Sequence, residues 1–412
     1  MNVAPSPAPV IVIGGGPAGL AAAVAVASAD IATVHIAPQV AGDNRTTALL
    51  HSSVTALETL GVWAKCRDAA APLRTMRIVD ATARLLRAPE VAFSAAEIGL
   101  DAFGYNIANA ALLGALSERA AELPALTRMT ASVTAIAPES ECVTVTLDDG
   151  RIVSGRLVAA ADGRNSGARE AAGIAVDSHA YPQVALTFNL RHARPHDDTS
   201  TEFHTEAGPF TLVPLPGNRS SLVWVVTRAE AERLTALAPD ALAEAIETQA
   251  HSILGPITVE PGFGRFPLAI VTARSFAARR IALVGEAGHV IPPIGAQGFN
   301  LGLRDAATIA ELVADAIRDG MDPGADALLA RYDALRRADI RTRTTAVDLL
   351  NRSLLSDLLP IQGARGMGLF LLERIAPLRR AFMREGVTPR LTNLRLLRGE
   401  PLSTRDMGYA GY

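Results

Sequence analysis

The sequence predicts an α/β fold, with a Rossmann-like domain, an interleaved β-sheet domain and a helical C-terminal tail. Three observations lead there. The apolar run Val10 to Ile13 enters the glycine turn Gly14 to Gly19 and then the Ala/Val-rich stretch Leu20 to Ser28, which reads as strand, turn and helix. The middle of the chain holds short β-rich segments separated by turn residues. Near the end, the buried strand Ile281 to Gly285 leads through a Pro/Gly-rich loop into an amphipathic helix that runs to about Asp319. The length of 412 residues passes the ~250 at which one core usually stops growing, so two domains and a tail are expected.

Composition narrows the partners. Against 42 Asp plus Glu stand 39 Lys plus Arg, for a net charge of −3, and no long basic run exists, which sets nucleic acid aside. Lys65 is the only lysine, so the other basic residues are Arg; with the many alanines this reads as genome composition and carries no function. Cys66 and Cys142 cannot build a disulfide framework for so long a chain, and no CxxC or HExxH pattern points to a metal. A cytoplasmic, reducing compartment is expected. Ala8 to Ala29 is free of charge but lacks a basic leader and is broken by Gly14, Gly15, Gly16 and Pro17, which argues against a signal peptide or a membrane span.

Taken in order, Val10 to Ile13, the turn and the helix, with Thr33 to Ile36 as second strand, open a βαβ unit. Gly14, Gly16 and Gly19 occupy the glycines of GxGxxG: the first for the tight turn, the second for close approach of a pyrophosphate, the third for helix–strand packing. A dinucleotide is the ligand this suggests. The second strand supplies no ribose-binding acid, since Ala37 stands in that place. Met76 to Tyr105 alternates in short segments, Ala108 to Ala121 is helical, Ser132 to Ile136 and Val143 to Leu147 form a hairpin, and Ile152 to Ala160 is a buried strand. A polar turn, Ala161 to Arg169, follows it. Val184 to Leu190, Glu202 to Pro214 and Ser221 to Thr227 make the second sheet. The loop from Glu286 to Asn300 lies between a buried strand and a helix, where backbone N–H groups can converge on an anion.

Three separated pieces, GGGPAG at Gly14 to Gly19, ADGRNSGAR at Ala161 to Arg169 and GEAGHVIPPIGAQGFNLGLRDA at Gly285 to Ala306, together resemble the single-component FAD-dependent aromatic hydroxylases. Asn44 to Leu49, Leu60 to Trp63 and Phe103 to Ile107 further resemble the ubiquinone-biosynthesis branch. The resemblance implies an FAD-binding domain over 1–74, 106–178 and 275–350, a substrate domain over 75–105 and 179–274, and a helical tail over 351–412. It implies FAD contacts at Gly14, Gly16, Gly19, Arg45, Asp162, Gly163, Gly285, Glu286, Gly295, Gln297, Gly298 and Asn300, with Pro293, Gly295 and Gln297 in the flavin loop beside the chemistry. Two departures stand out: Ala37 replaces the ribose acid, with Asp43 or the backbone as substitutes, and Glu286 replaces the Asp of the GD motif.

The activity implied is a monooxygenation. NADPH or NADH reduces FAD, O2 adds to give a C4a-hydroperoxyflavin, and one oxygen passes to the ring of a prenylated phenol or quinol precursor in ubiquinone biosynthesis. The protein supplies placement and water exclusion, so no nucleophile is needed and no side chain is singled out as catalytic. The helix opening at Gly298 would stabilise the anion of the reduced ring. Tyr105, Phe203, Phe210, Pro214 and Trp224 are candidate pocket walls, although aromatics on strands are more often core; His204 and Tyr105 are candidates for a phenol base, and His289 is assigned to the loop without proton transfer. The stretch Gly363 to Gly386, with Met367, Leu369, Phe370, Leu371, Leu372, Ile375, Leu378, Phe382 and Met383 among Arg365, Arg374, Arg379, Arg380 and Arg384, is a basic amphipathic helix with a kink at Pro377. It either lies on an anionic membrane, peripheral to the inner membrane or to a biosynthetic complex, or docks on the protein; the periodicity is the same for both. Rival readings are a flavin monooxygenase for another aromatic or polyprenyl substrate, a non-catalytic flavin-fold scaffold subunit, and an NAD-dependent dehydrogenase, which the two later motifs disfavour. A flavin halogenase would need a WxWxIP motif that the chain lacks.

Overall fold

A strand as apolar as Val10 to Ile13 belongs in the middle of a sheet covered on both faces. In the computed structural model Ala8–Ile13 lies there, paired in parallel with Thr33–Ala37 (Val10 opposite Thr33) and with Ile152–Ala160 (Val10 opposite Leu157). Leu126–Thr130 continues the sheet beyond Thr33–Ala37, and Ile281–Leu283 continues it beyond Ile152–Ala160, both in parallel. The hairpin Val133–Pro138 and Val143–Leu147 hangs on the N-terminal half of Ile152–Ala160. The structure describes residues 8–39, 43–82, 88–293, 295–355, 367–368, 370–372, 374–387 and 393–403, with side chains at all of these except 346, 350 and 352–355.

Pro17–Ala27 is apolar on every side and buried from Gly19 to Ala27, as a helix without a polar face must be. Its alanines let Gly298–Arg318 and Asn109–Ala121 pack against it closely. The core of this first half is built from Ala, Leu, Val and Ile, with few aromatics.

The second sheet has eight strands, in the order His289–Val290, Ile257–Ala273, Val176–His192, Arg219–Thr227, Gly208–Leu215, Thr199–Thr205, Thr75–Asp80, Val91–Ser94. Alternation along Val176–His192 separates its faces. Val184, Leu186, Phe188 and Leu190 join Phe203, Phe210 and Trp224 in a core under the helices Arg228–Thr235 and Pro239–Gln249. Phe203, Phe210 and Trp224 are thus core residues, stacked edge to face at 5.7 and 5.2 Å between ring centroids, and not pocket walls. Tyr105 packs edge-on against Trp63 in the first half, 5.0 Å between centroids. The opposite face of the sheet carries Gln183, Ala185, Ser221 and Val225, and a small third sheet of Thr46–Leu50, Gly104–Ala108 and Ala70–Pro72 is tied to it: Thr46 donates to the Ser221 hydroxyl at 2.9 Å and Asn106 to the Pro214 carbonyl at 2.9 Å.

Asp326–Leu355, at 30 residues about 45 Å long, connects the two halves. Tyr332 donates to the Leu283 carbonyl of the first sheet at 2.6 Å; further along, Asp348 accepts from Tyr181 and Asn351 pairs with Gln183, both on the open face of the second sheet. Of the tail, 356–366, 369, 373, 388–392 and 404–412 lie outside the described residues, Arg365 and Leu369 among them. The helix Ala376–Val387 docks through Met383 and Val387 on Val91, Phe93 and Phe103, with Arg379 paired to Glu97 at 2.7 Å and lying 4.7 Å above the Phe93 ring. The break falls at Ile375, two residues before Pro377, which sits in the first turn of this helix, where a missing N–H costs nothing. Among the described residues no helix is long and apolar enough to cross a membrane.

Tyr332→Phe removes a hydrogen bond between completely buried groups. It should lower the unfolding free energy by about 1 kcal/mol or somewhat more, read as a lower urea midpoint at unchanged slope.

Candidate active site

The three motifs meet at the carboxyl ends of the parallel strands, where open α/β sheets place their ligands. Gly14, at φ 125°, is so close to the next strand that a Cβ there would lie 2.1 Å from the Ala161 carbonyl oxygen, and a Cβ on Gly19 would lie 2.2 Å from that of Gly14. A Cβ on Gly16 would meet nothing within 4 Å: this glycine leaves room rather than avoiding a clash. Behind the turn the buried His35 ring donates from Nε2 to the Gly14 carbonyl at 2.9 Å, and burial pushes its pKa below the usual imidazole value. Pro17–Ala27 begins at Gly16 with no side-chain cap and no acid in its first turn, so its positive end faces that room.

The second motif folds on itself and then reaches the third. Asp162 accepts from the Ser166 hydroxyl at 2.6 Å and from the Ala168 amide at 3.1 Å, while Gly163 turns the chain at φ 85°. Arg169, buried, donates to the Ala287 carbonyl at 2.9 Å, and Arg164 stands 3.6 Å from Glu286. Glu286 is half exposed, on a short turn after Ile281–Leu283, and its negative charge also raises the Arg45 pKa, after the larger effect of Asp43. Arg45 is held by Asp43 through two bonds of 2.8 Å and lies 5.5 Å from the Phe266 ring centroid. Burial pushes the Asp43 carboxyl up, but Arg45 and Asn109 outweigh it and hold the pKa at about 2. Asp43 therefore keeps both oxygens occupied, and Ala37 leaves the end of the second strand without a carboxylate. Beside this pair opens a polar groove of about 410 Å³ whose arginines, Arg191 and Arg219, are both bound to Glu260.

In the loop, His289–Val290 pairs with Val271 and Thr272 of the second sheet, fastening the loop to the other half. Pro293 is exposed, Gly295 and Ala296 both turn left-handed at φ 67° and 55°, and Gln297 donates to the Gly295 carbonyl at 2.8 Å. Ile294 lies outside the described residues. The Gln297 Oε1 is shielded from solvent and has no hydrogen-bond partner among the described residues. Gly298–Arg318 then starts without a side-chain cap or first-turn acid, and a Cβ on Gly298 would again meet nothing within 4 Å. Two bare helix N-termini, open space at Gly16 and Gly298 and a shielded acceptor without partner suit a large anionic ligand with N–H donors, as FAD is. Asn300 is placed differently: its amide bridges to the third sheet, donating to the Ala48 carbonyl at 2.8 Å and accepting from the Leu50 amide at 2.9 Å.

Beneath the loop is a buried charge network that joins His289, Arg304 and Asp305 of the third motif to Arg336 and Asp339, which lie outside every motif. Asp305 Oδ2 accepts from the Gly285 amide at 2.8 Å and from His289 Nε2 at 2.7 Å, and its Oδ1 from Arg336 at 2.5 Å. Arg336 also reaches Asp339 at 2.9 Å, and Asp339 takes Arg304 at 2.9 Å. Burial drives the Asp305 carboxyl up; Arg336 and His289 more than offset it and hold the pKa at about 2. Arg336 sits in an arginine-rich stretch of an arginine-rich chain, so no composition signal marks it.

A parallel sheet with a glycine turn at its carboxyl edge, joined through a Pro/Gly loop to a large, mostly antiparallel sheet, is the architecture this chain shares with FAD-dependent monooxygenases. The sequence model of the FAD binding domain family matches residues 7–346. Ubiquinone hydroxylase UbiL of Rhodospirillum rubrum is 37% identical over 407 residues, covering 96% of this chain and 94% of its own. The 3-demethoxyubiquinol 3-hydroxylase of Escherichia coli is 31% identical over 383 residues, covering 91% of this chain and 97% of its own. Among solved structures, p-nitrophenol 4-monooxygenase PnpA from Pseudomonas putida shares the fold, with a TM-score of 0.78 at 19% identity over 93% of this chain and 99% of that one. The chain belongs to the FAD-binding monooxygenase family, in its ubiquinone hydroxylase group.

Gly14→Ala and Gly16→Ala should behave differently. The first forces a methyl into the Ala161 carbonyl and should destabilise the fold, whereas the second should leave the melting temperature of the FAD-free protein unchanged and weaken FAD binding by roughly tenfold or more, measured by fluorescence titration.

Proposed function

We propose that this chain uses FAD, O2 and NADPH or NADH to hydroxylate the aromatic ring of a prenylated phenol or quinol precursor in ubiquinone biosynthesis. The observation that carries the reading is the meeting of two uncapped helix N-termini, at Pro17 and Gly298, with a loop stitched to the second sheet. The near full-length likeness to two ubiquinone-pathway hydroxylases supports the substrate class. FAD, when bound, supplies the two-electron chemistry and the activation of oxygen.

The residues around it do the rest. Gly14, Gly16 and Gly19 admit the pyrophosphate to the first helix end; Arg45, Asp162, Gly163, Gly285 and Glu286 line the path from it to the loop. Gly295, Gln297 and Gly298 hold the ring end, where the Gly298 helix dipole stabilises negative charge. Pro293 stiffens the loop, and Asn300 fixes the loop to the third sheet. The open face of the second sheet, roofed by the third sheet and by Asp326–Leu355, excludes water from the aromatic substrate. On this face, opposite Phe203, lies His204, buried and 2.8 Å from Glu202, whose other oxygen accepts from Thr211 at 3.3 Å. A phenolic proton can pass to His204, with Glu202 stabilising the imidazolium. Tyr105, the other candidate base, packs its ring edge-on against Trp63.

The exposed side of the tail supports a peripheral membrane location. Leu371, Ile375, Leu378 and Phe382 form an exposed apolar stripe at helical spacing, flanked by exposed Arg374, Arg380 and Arg384, while Met383 and Val387 dock on the protein. An anionic bilayer fits the exposed side and would bring the enzyme to a substrate dissolved there.

Purified protein with FAD should show a two-band flavin spectrum, bleached anaerobically by NAD(P)H, and should convert a prenylated phenol to a product heavier by one oxygen, traced with labelled O2. His204→Gln should keep the spectrum and lose roughly a hundredfold in turnover number. A bleached flavin that yields only peroxide with every prenylated phenol tried would reject the substrate assignment. In flotation with phosphatidylglycerol vesicles, Leu378→Glu with Phe382→Glu should reduce bound protein by roughly fivefold, with FAD content unchanged.

A further inference from the structure

We propose that Asp305 and Arg336 are positioning residues for the flavin loop: together they hold the Gly285–His289 turn in the shape that presents Glu286 and the following loop to FAD. The inference rests on the flavoenzyme reading above. One carboxylate, with no solvent contact, binds both ends of that turn, the Gly285 amide at 2.8 Å and the His289 ring at 2.7 Å. A charge so placed is stable only if it is compensated and fully hydrogen-bonded. Arg336 compensates it at 2.5 Å, and the same guanidinium reaches Asp339, which Arg304, the neighbour of Asp305 on its own helix, completes. The loop therefore has a fixed point that does not depend on its own glycines.

Arg336 reaches the loop from the helix Asp326–Leu355, whose later residues Asp348 and Asn351 hold Tyr181 and Gln183 on the substrate-facing sheet. The loop and that sheet thus take their relative position from one rigid element. A generic core ion pair would stabilise the fold without regard to cofactor; this one ends on the main chain and on a side chain that bracket Glu286.

The test uses the full-length protein with FAD. Arg336→Met, which keeps the length of the side chain and loses the charge, leaves the Asp305 carboxylate uncompensated and releases the turn. Expected are an FAD dissociation constant raised roughly tenfold or more, a lower flavin midpoint potential, and a larger fraction of NAD(P)H oxidised to peroxide, with the apparent KM for the aromatic substrate little changed. Arg336→Lys keeps the charge but can meet only one of the two carboxylates at a time, and should fall between. Asp339→Asn removes the second carboxylate of Arg336 and the partner of Arg304 but leaves the Asp305–Arg336 bond, and should shift the flavin properties in the same direction by less than Arg336→Met. If Arg336→Met does not fold, Arg336→Lys and His289→Gln decide, since each preserves the charge of Asp305 and its main compensation. Folded variants whose FAD affinity, midpoint potential and peroxide yield all equal those of the parent overturn the proposal. Parent protein that takes up no FAD overturns instead the reading on which it rests.

Discussion

Asp305 places a carboxylate where no water reaches, and much of the molecule is arranged so that it can stay there. Its partners come from a strand end, from the loop and from the helix Asp326–Leu355, so satisfying one charge ties its own helix to three other segments. Compensation of this kind adds little to stability by itself, because desolvation takes back most of the Coulomb gain, but removing one partner is expensive. The result is a junction that tolerates little movement. The flavin loop, rich in glycine and proline and turned left-handed at Gly295 and Ala296, has no regular hydrogen-bond ladder of its own and takes its shape from that junction and from the two-residue strand His289–Val290.

Around this point the site is defined as much by what is missing as by what is present. Gly16 and Gly298 have no side chain and their helices no cap, so partial positive charge is left facing space on both sides. In a protein without a ligand to receive it, such an arrangement would be a defect; here it matches the phosphates and the ring of FAD. The missing acid at Ala37 fits the same pattern. With Asp43 tied to Arg45 and Asn109, main-chain groups and helix dipoles are what the proposed site offers a dinucleotide.

The parts of this that were legible in the sequence are those where the backbone permits few residues. Gly14 and Gly19 are required by approaches near 2 Å, and so the glycine turn could be read directly. Ile152–Ala160 was found to the residue, although only its second half, Leu157 to Ala160, is the buried apolar run expected of a central strand; Ile152 and Arg156 are exposed. The exposed and docked sides of the tail helix could not be told apart by period, and both turned out to exist on one helix, Leu378 and Phe382 on one side and Met383 and Val387 on the other. What could not be read depends on meetings between distant residues. Nothing local says that Thr75–Asp80 will pair in parallel with Thr199–Thr205, that Asn109 will reach Asp43, or that one arginine among many will find Asp305. Asn300 was visible as a motif residue, but its bridge to Ala48 and Leu50 depends on a third sheet that no periodicity announces.

The interleaving of strands also sets the order in which the protein can be made. Ala8–Ile13 is central to the first sheet, yet its neighbour Ile152–Ala160 follows only after a third of the chain and the strand beyond, Ile281–Leu283, after more than half of it. Thr33–Ala37 follows at once and covers one edge, but at a synthesis rate of about 5–20 residues per second the other edge stays open for roughly ten seconds or more before the sheet around it is complete. During that time it is an attractive partner for any other nascent chain. The alanine-rich helix that follows it, able to cover one face at once, is the nearest shield, so the first thirty residues have a duty during translation that the finished enzyme no longer displays.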